Sequence, residues 1–229
     1  DTACAAGSIC PGGTPVSAEC ADRSDFGESP CACTALQELA ALSTTLQAEA
    51  PWNALADNTY CTKGYVGTFI YDYEAVGSLQ VLCETSVDGV DLPVYVYAYD
   101  SGLAGALPDS FGELGALTEA FLRRNAITSL PSEIGALTGL VALSLFDNQI
   151  SELPTEIGAL TGLVSLDLYI NAISSLPAEI GALTGLEELN LGFNAITSLP
   201  TDIGALTGLT GLGLFNNALT SVPTEFGAL

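Results

Sequence analysis

"LPTEIGALTGLVSLDLYINAISS" runs from Leu153 to Ser175, and the text starts over at Leu176-Pro177. Leu-Pro stands at Leu107, Leu130, Leu153, Leu176 and Leu199, Val222-Pro223 extends the series, and every interval is 23 residues. A fixed period of this length marks one structural unit per copy, since one copy cannot bury its apolar face alone but stacked copies can. Inside the unit the order L-x-x-L-x-L-x-x-N-x-I/L repeats. It reads Leu140, Leu143, Leu145, Asn148, Ile150, and then Leu163, Leu166, Leu168, Asn171, Ile173. Two further copies carry Asn194 and Asn217, while the first (Leu117, Ala120, Leu122, Asn125, Ile127) is looser. Alternation across x-L-x-L-x is the period of a strand, so Leu143 and Leu145 should point inward and Ser144 and Phe146 outward.

This pattern resembles the leucine-rich repeat. The resemblance implies an α/β solenoid over 92–229, with about six repeats and a truncated seventh. A curved parallel sheet would line its concave face, short helical or 3-10 turns its convex face, and the asparagines would bond backbone between coils. On the outer arc, L-P-x-E-I-G-A-L-T-G-L, proline fixes φ and the Ser or Thr before the acid is expected to cap the turn. The resulting acids, Glu133, Glu156, Glu179, Asp202 and Glu225, read as charges favoured at helical N-termini and not as a cation site. The threonines at 138, 161, 184 and 207 read as filler of the convex side. Because the sequence stops at Leu229 inside an apolar arc, the natural chain is expected to continue.

Before the repeats the text changes character. Cys4, Cys10, Cys20, Cys31, Cys33, Cys61 and Cys83 all precede residue 84. Such clustering in a Gly- and Pro-containing segment points to disulfides and an oxidising compartment (secreted, cell surface or organelle lumen). Zinc is disfavoured by the lack of histidine and of paired C-x2-C spacing. The odd count leaves one thiol for a free state or an intermolecular disulfide. The division is a Cys-rich segment 1–33, a cap 34–91 and the repeats. In Thr34–Glu49, Leu36, Leu39, Leu42 and Leu46 form a helical stripe. That helix, with Trp52, Cys61 and the turn "GLAGALPDSFGEL" at 102–114, resembles the N-terminal cap of plant-type leucine-rich-repeat ectodomains, and the resemblance implies a Cys61–Cys83 pair. A divergent first strand is expected at 94–103, with Val94, Val96 and Ala98 inward.

Register assigns the outward positions to four columns. The first is Tyr95, Glu119, Ala142, Ser165, Glu188, Gly211, and the second Tyr97, Phe121, Ser144, Asp167, Asn190, Gly213. The third is Tyr99, Arg123, Phe146, Tyr169, Gly192, Phe215, and the fourth Asp100, Arg124, Asp147, Ile170, Phe193, Asn216. Tyr95, Tyr97, Tyr99, Phe121, Phe146 and Tyr169 gather in the N-terminal half, and clustered outward aromatics mark a protein-binding surface. Arg124 is expected between Asp100 and Asp147, and Arg123 is expected to stack on Tyr99 or Phe146.

The composition narrows the function. With 27 Asp and Glu against 4 Lys and Arg, a net charge of −23 repels nucleic acid, and no apolar run is long enough to span a bilayer. Neither histidine nor a phosphate-cradling or nucleophile motif appears, so the expectation is a non-enzymatic module without metal or cofactor. Its partner would be a protein, met through Tyr95, Tyr97, Tyr99, Phe121, Arg123, Arg124, Phe146 and Tyr169. The alternative is a structural subunit of an extracellular filament, cell covering or large assembly, which the near-identical repeats and the odd cysteine favour.

Overall fold

A computed structural model of the protein describes Glu38, Leu39, Ala41, Leu42, 78–85 and 91–229. The Cys-rich leader 1–33, most of the cap helix, Trp52 and the Cys61–Cys83 pairing lie outside the described residues.

One sheet runs the length of the repeats. Its strands are β1 (Ser78–Thr85), β2 (Asp91–Tyr99), β4 (Glu119–Phe121), β6 (Ala142–Ser144), β7 (Ser165–Asp167), β8 (Glu188–Asn190) and β9 (Gly211–Gly213), adjacent in that order. From β2 onward all pairs are parallel, and Val96, Ala120, Leu143, Leu166, Leu189 and Leu212 lie side by side. The inward residues Val96, Ala98, Ala120, Leu143, Leu145 and their successors to Leu191 are buried, as the alternation requires. Each buried leucine contributes about 2 kcal/mol by leaving water, so the stack of coils supplies the stability that no single coil has.

The N-terminal end departs from the sequence reading. Within 34–91, assigned to the cap, and beyond the helix expected at Thr34–Glu49, lies β1, a strand not foreseen, which pairs antiparallel with β2 and extends the sheet beyond the first repeat. The first repeat strand spans Asp91–Tyr99 and stops short of the expected end at 103, and beyond that break the chain forms β3 (Ala104–Ala106), paired with β5 (Ala126–Ser129) on a second, small sheet. The physical reason is Asp100, whose φ of 48° breaks the extended run. Leu39 of the cap helix is fully buried, Leu42 packs on the core, and the Leu42 carbonyl accepts from the Ala104 N–H at 3.1 Å.

Opposite the sheet, among the described residues, lie six 3-10 turns: Asp109–Glu113, Ser132–Ala136, Thr155–Ala159, Ala178–Ala182, Thr201–Ala205 and Thr224–Ala228. Each starts from a proline whose carbonyl accepts the first bond, as in Ile157 N–H to Pro154 O at 3.1 Å. The expected Ser/Thr caps do not form. Proline takes the cap position, so the hydroxyl falls inside the turn and donates to the adjacent acid, as Thr155 does to Glu156 at 3.1 Å. Neighbouring turns approach closely. A Cβ on Gly181 would sit 2.4 Å from the Asp202 carbonyl oxygen, which is why glycine stands there.

Between the two sides run the asparagines. Asn148 accepts the Ile127 N–H at 3.0 Å and donates to the carbonyls of Leu122 (2.9 Å) and Leu145 (3.0 Å). Asn171, Asn194 and Asn217 repeat this one coil further each time. Each therefore satisfies backbone groups of two coils that would otherwise be orphaned in the interior.

Candidate functional site

The outward columns form with the register read from the sequence. Tyr95 pairs with Glu119, Glu119 with Ala142, and so on to Gly211; Tyr97, Phe121, Ser144, Asp167, Asn190 and Gly213 are likewise neighbours. The third and fourth columns lie just past the strands, held by bonds such as Arg124 N–H to Phe146 O and Asp147 N–H to Tyr169 O, both 2.8 Å.

The aromatic residues form two groups. Tyr97 stacks on Phe121 with centroids 5.2 Å apart, and Tyr95 flanks Tyr97 at 6.4 Å. Phe146 stacks on Tyr169 at 5.4 Å, and Tyr169 meets Phe193 edge-on at 5.3 Å and Phe215 at 5.6 Å. The patch is therefore not confined to the N-terminal half. Its most exposed members are Phe193 (45%) and Phe215 (54%), while the six aromatics singled out from sequence are half-buried against their neighbours. Gly192 makes this possible: a Cβ there would come within 2.8 Å of the Phe215 ring and 3.0 Å of Tyr169. The signal for Phe215 was its place in the third column, two positions beyond Tyr169.

The arginines take partners different from those expected. Arg123 lies over Phe121, its own strand neighbour on the same face, at 4.9 Å and donates Nε to Ser144 Oγ at 2.8 Å. It stacks on neither Tyr99 nor Phe146. The nearly buried Ser144 hydroxyl draws it across, because that hydroxyl also donates to Asp167 at 3.2 Å and needs a donor of its own. Arg124 does meet Asp147, Nε to Oδ2 at 3.8 Å, but its other side faces the Tyr99 ring at 5.5 Å in place of Asp100. With both side chains about half exposed, that ion pair adds about 0–1 kcal/mol.

A shallow depression of about 230 Å³ opens beside the first group, lined among others by Phe121, Arg123, Ser144, Ser165, Asp167 and Glu188. Small side chains in the second and third coils lower its floor. Glycine at 211 and 213 lets the Glu188 carboxylate and the Asn190 amide lie over the next strand. Glu119, beside Tyr97, has its carboxyl pushed up by burial, a shift partly offset by the Tyr97 hydroxyl, which donates to it at 3.4 Å.

One feature of the fourth column carried no sequence signal at Arg124, Ile170 or Phe193. All six of its residues, Asp100, Arg124, Asp147, Ile170, Phe193 and Asn216, have φ between 48° and 57°. Asp and Asn tolerate this left-handed conformation, whereas a β-branched or bulky residue there is a strained outlier. Among the described residues no helix is long and apolar enough to cross a membrane, and no group of three or more acids or cysteines is placed to hold a metal.

Residues 109–194 match the family model described as a leucine-rich repeat region. Among solved structures, the leucine-rich-repeat ectodomain of the receptor kinase SOBIR1 from Arabidopsis thaliana superposes with a TM-score of 0.62 at 21% identity, covering 85% of this chain and 96% of that one. A plant peptide hormone receptor, RGFR1 in complex with RGF2, is 29% identical with a TM-score of 0.58 over 64% of this chain and 27% of its own. An internalin from Listeria monocytogenes is 28% identical, TM-score 0.50, over 58% of this chain and 38% of that one. The chain thus spans well under half the length of the last two. No curated protein matches the sequence. The family match falls on the coils that carry the repeat and its asparagine rungs, and the chain accordingly contains a leucine-rich repeat region and has the leucine-rich-repeat solenoid fold.

Proposed function

We infer that the chain is a non-enzymatic recognition module that meets a protein partner through the outward face of its sheet. The observation that carries this is the pair of aromatic groups, Tyr95–Tyr97–Phe121 and Phe146–Tyr169–Phe193–Phe215, gathered on the face that also holds the polar depression. Aromatic clusters on a surface supply large contact area at low entropic cost and are enriched at interface centres. Two of the similar structures are a receptor-kinase ectodomain and a receptor solved with its peptide, which supports a binding role. The clustered cysteines before residue 84 and those same neighbours favour an extracellular or other oxidising setting, with the odd cysteine available for an intermolecular disulfide.

Immobilised protein should capture a partner from its native source, and the captured protein, identified and purified, should bind directly. Replacing Phe121, Phe146 and Phe215 by Ser should abolish that binding while leaving the unfolding transition in place. Undiminished binding by the folded variant refutes the reading. The uniform repeats favour one other role, a subunit of an assembly; recovery of the native protein only as polymer or stoichiometric complex would select it.

A further inference from the structure

The recognition reading leaves the chemistry of the partner open, and the face itself restricts it. We propose that the depression receives an arginine or lysine side chain from a basic protein segment, whose neighbouring apolar residues lie on Phe193 and Phe215. This rests on the protein-recognition reading above and goes one step past it.

Phe193 is a solvent-facing aromatic at φ 53°, in a position that three other coils fill with Asp100, Asp147 and Asn216. The coil closes equally well with those residues, so the fold does not require a phenylalanine there, and a bulky side chain held in a strained backbone points to a surface role. Phe193 and Phe215 meet edge-on at 5.6 Å and both rest on Tyr169, which fixes an apolar ledge one column beyond the residues that line the depression. Alone, such a ledge would suit many partners.

Charge selects among them. Asp167 lines the depression and accepts from the Ser144 hydroxyl at 3.2 Å and from the Tyr169 N–H at 3.2 Å. Glu188, also lining it, accepts from the Thr210 hydroxyl at 3.3 Å. Among the described residues neither carboxylate has an ion-pair partner. Arg123, the cation at the rim, gives its Nε to Ser144 and lies on Phe121, while Arg124 is engaged with Asp147. Glu119 and Glu187 add further acid to the same coils. An anionic partner would be repelled by this face, and so would a second copy, which brings a charge of −23 of its own. A guanidinium or ammonium entering between Asp167 and Glu188 completes two charge-assisted pairs and leaves the stem of its side chain beside Phe121.

The test titrates the full chain, at near-physiological salt, with short labelled peptides of alternating Arg/Leu, Glu/Leu or Ser/Leu, read by fluorescence anisotropy. The Arg/Leu peptide is expected to bind best. The variant Asp167→Asn/Glu188→Gln should lose about tenfold or more in affinity. Glu156→Gln/Glu179→Gln, an equal charge change on the convex arc, should lose less than about twofold. Phe193→Ser/Phe215→Ser should also lose about tenfold while its unfolding curve stays in place. Equal losses in the two charge variants would reduce the effect to bulk charge and overturn the proposal. So would binding of the Glu/Leu or Ser/Leu peptide as tightly, no binding of any peptide, or self-association abolished by Phe193→Ser. If these outcomes occur while the native partner is still lost in the aromatic variant, only the basic-segment chemistry fails. If partner binding survives there as well, both readings fail.

Discussion

Asn148 is the most deeply placed rung between coils, and its removal should be among the costliest single changes in the repeats. Asn148→Ala takes the acceptor from the Ile127 N–H (3.0 Å) and a donor from each of the Leu122 and Leu145 carbonyls. The Leu145 carbonyl keeps a second donor, Asn171 Nδ2 at 2.9 Å. Among the described residues no such second donor reaches Leu122, so two buried backbone groups are orphaned. At about 1–3 kcal/mol for each buried unsatisfied group, the loss is about 4 kcal/mol. Asn217→Ala removes the corresponding bonds to Ile196, Leu191 and Leu214. There Leu191 keeps Asn194, and Leu214 is only partly buried, so water replaces part of the loss and about 1–2 kcal/mol is expected. Urea unfolding followed by far-ultraviolet circular dichroism measures both, with unchanged slopes showing that the same cooperative unit is compared. Amide exchange should report loss of protection at Ile127 first. A cost below about 1 kcal/mol for Asn148→Ala, or one equal to that of Asn217→Ala, would show that the rungs are not what satisfies these groups.

Ile170→Gly should stabilise the protein by roughly 0.5 kcal/mol or more, because relief of a left-handed β-branched residue outweighs the entropy of an added glycine; a lower denaturation midpoint would contradict this. Gly181→Ala should destabilise by more than about 1 kcal/mol by forcing adjacent 3-10 turns apart, whereas Gly115→Ala, which meets open space, should be near neutral in the same thermal melt. Glu119→Gln tests the raised carboxyl. Since the folded state holds that proton more tightly than the unfolded chain, stability from this group is greatest below the ordinary carboxylate range and falls as pH rises through the folded value. The glutamine variant should therefore be the more stable at pH 7, with the gap closing in acid; a gap that is constant with pH would remove burial as the cause.

Much of this architecture is legible in the sequence, because its determinants are local and periodic. The alternation around Leu143 and Leu145 placed every outward column in the observed register, from Tyr95 to Gly211 and from Tyr97 to Gly213. Side-chain choices that depend on several neighbours at once were less accessible. Arg123 had aromatic options on either adjacent coil, and the Ser144–Asp167 pair decided against both. The left-handed column was hinted at by Asp147-Asn148 and Asn216-Asn217 but masked by Arg124, Ile170 and Phe193, residue types that carry no such preference. β1 had a period-two signal in Leu79 and Val81 against Ser78 and Gln80, yet its antiparallel direction breaks the repeat's own rule and no repeat copy announces it.

The asparagine rungs touch only main-chain atoms of the adjoining coils, as Asn171 does with Ile150, Leu145 and Leu168. They are therefore indifferent to what any coil displays on its sheet face. Whole coils can in consequence be duplicated, deleted or exchanged as interchangeable cassettes, each joining its neighbours by the same connector. Excising 153–175 would bring Asn194 into the place of Asn171 and set Gly192 beside Phe146, removing Tyr169 from the face while the joint itself stays chemically the same. The fold thus separates the means of holding the molecule together from the text it presents, and that text can be rewritten one coil at a time.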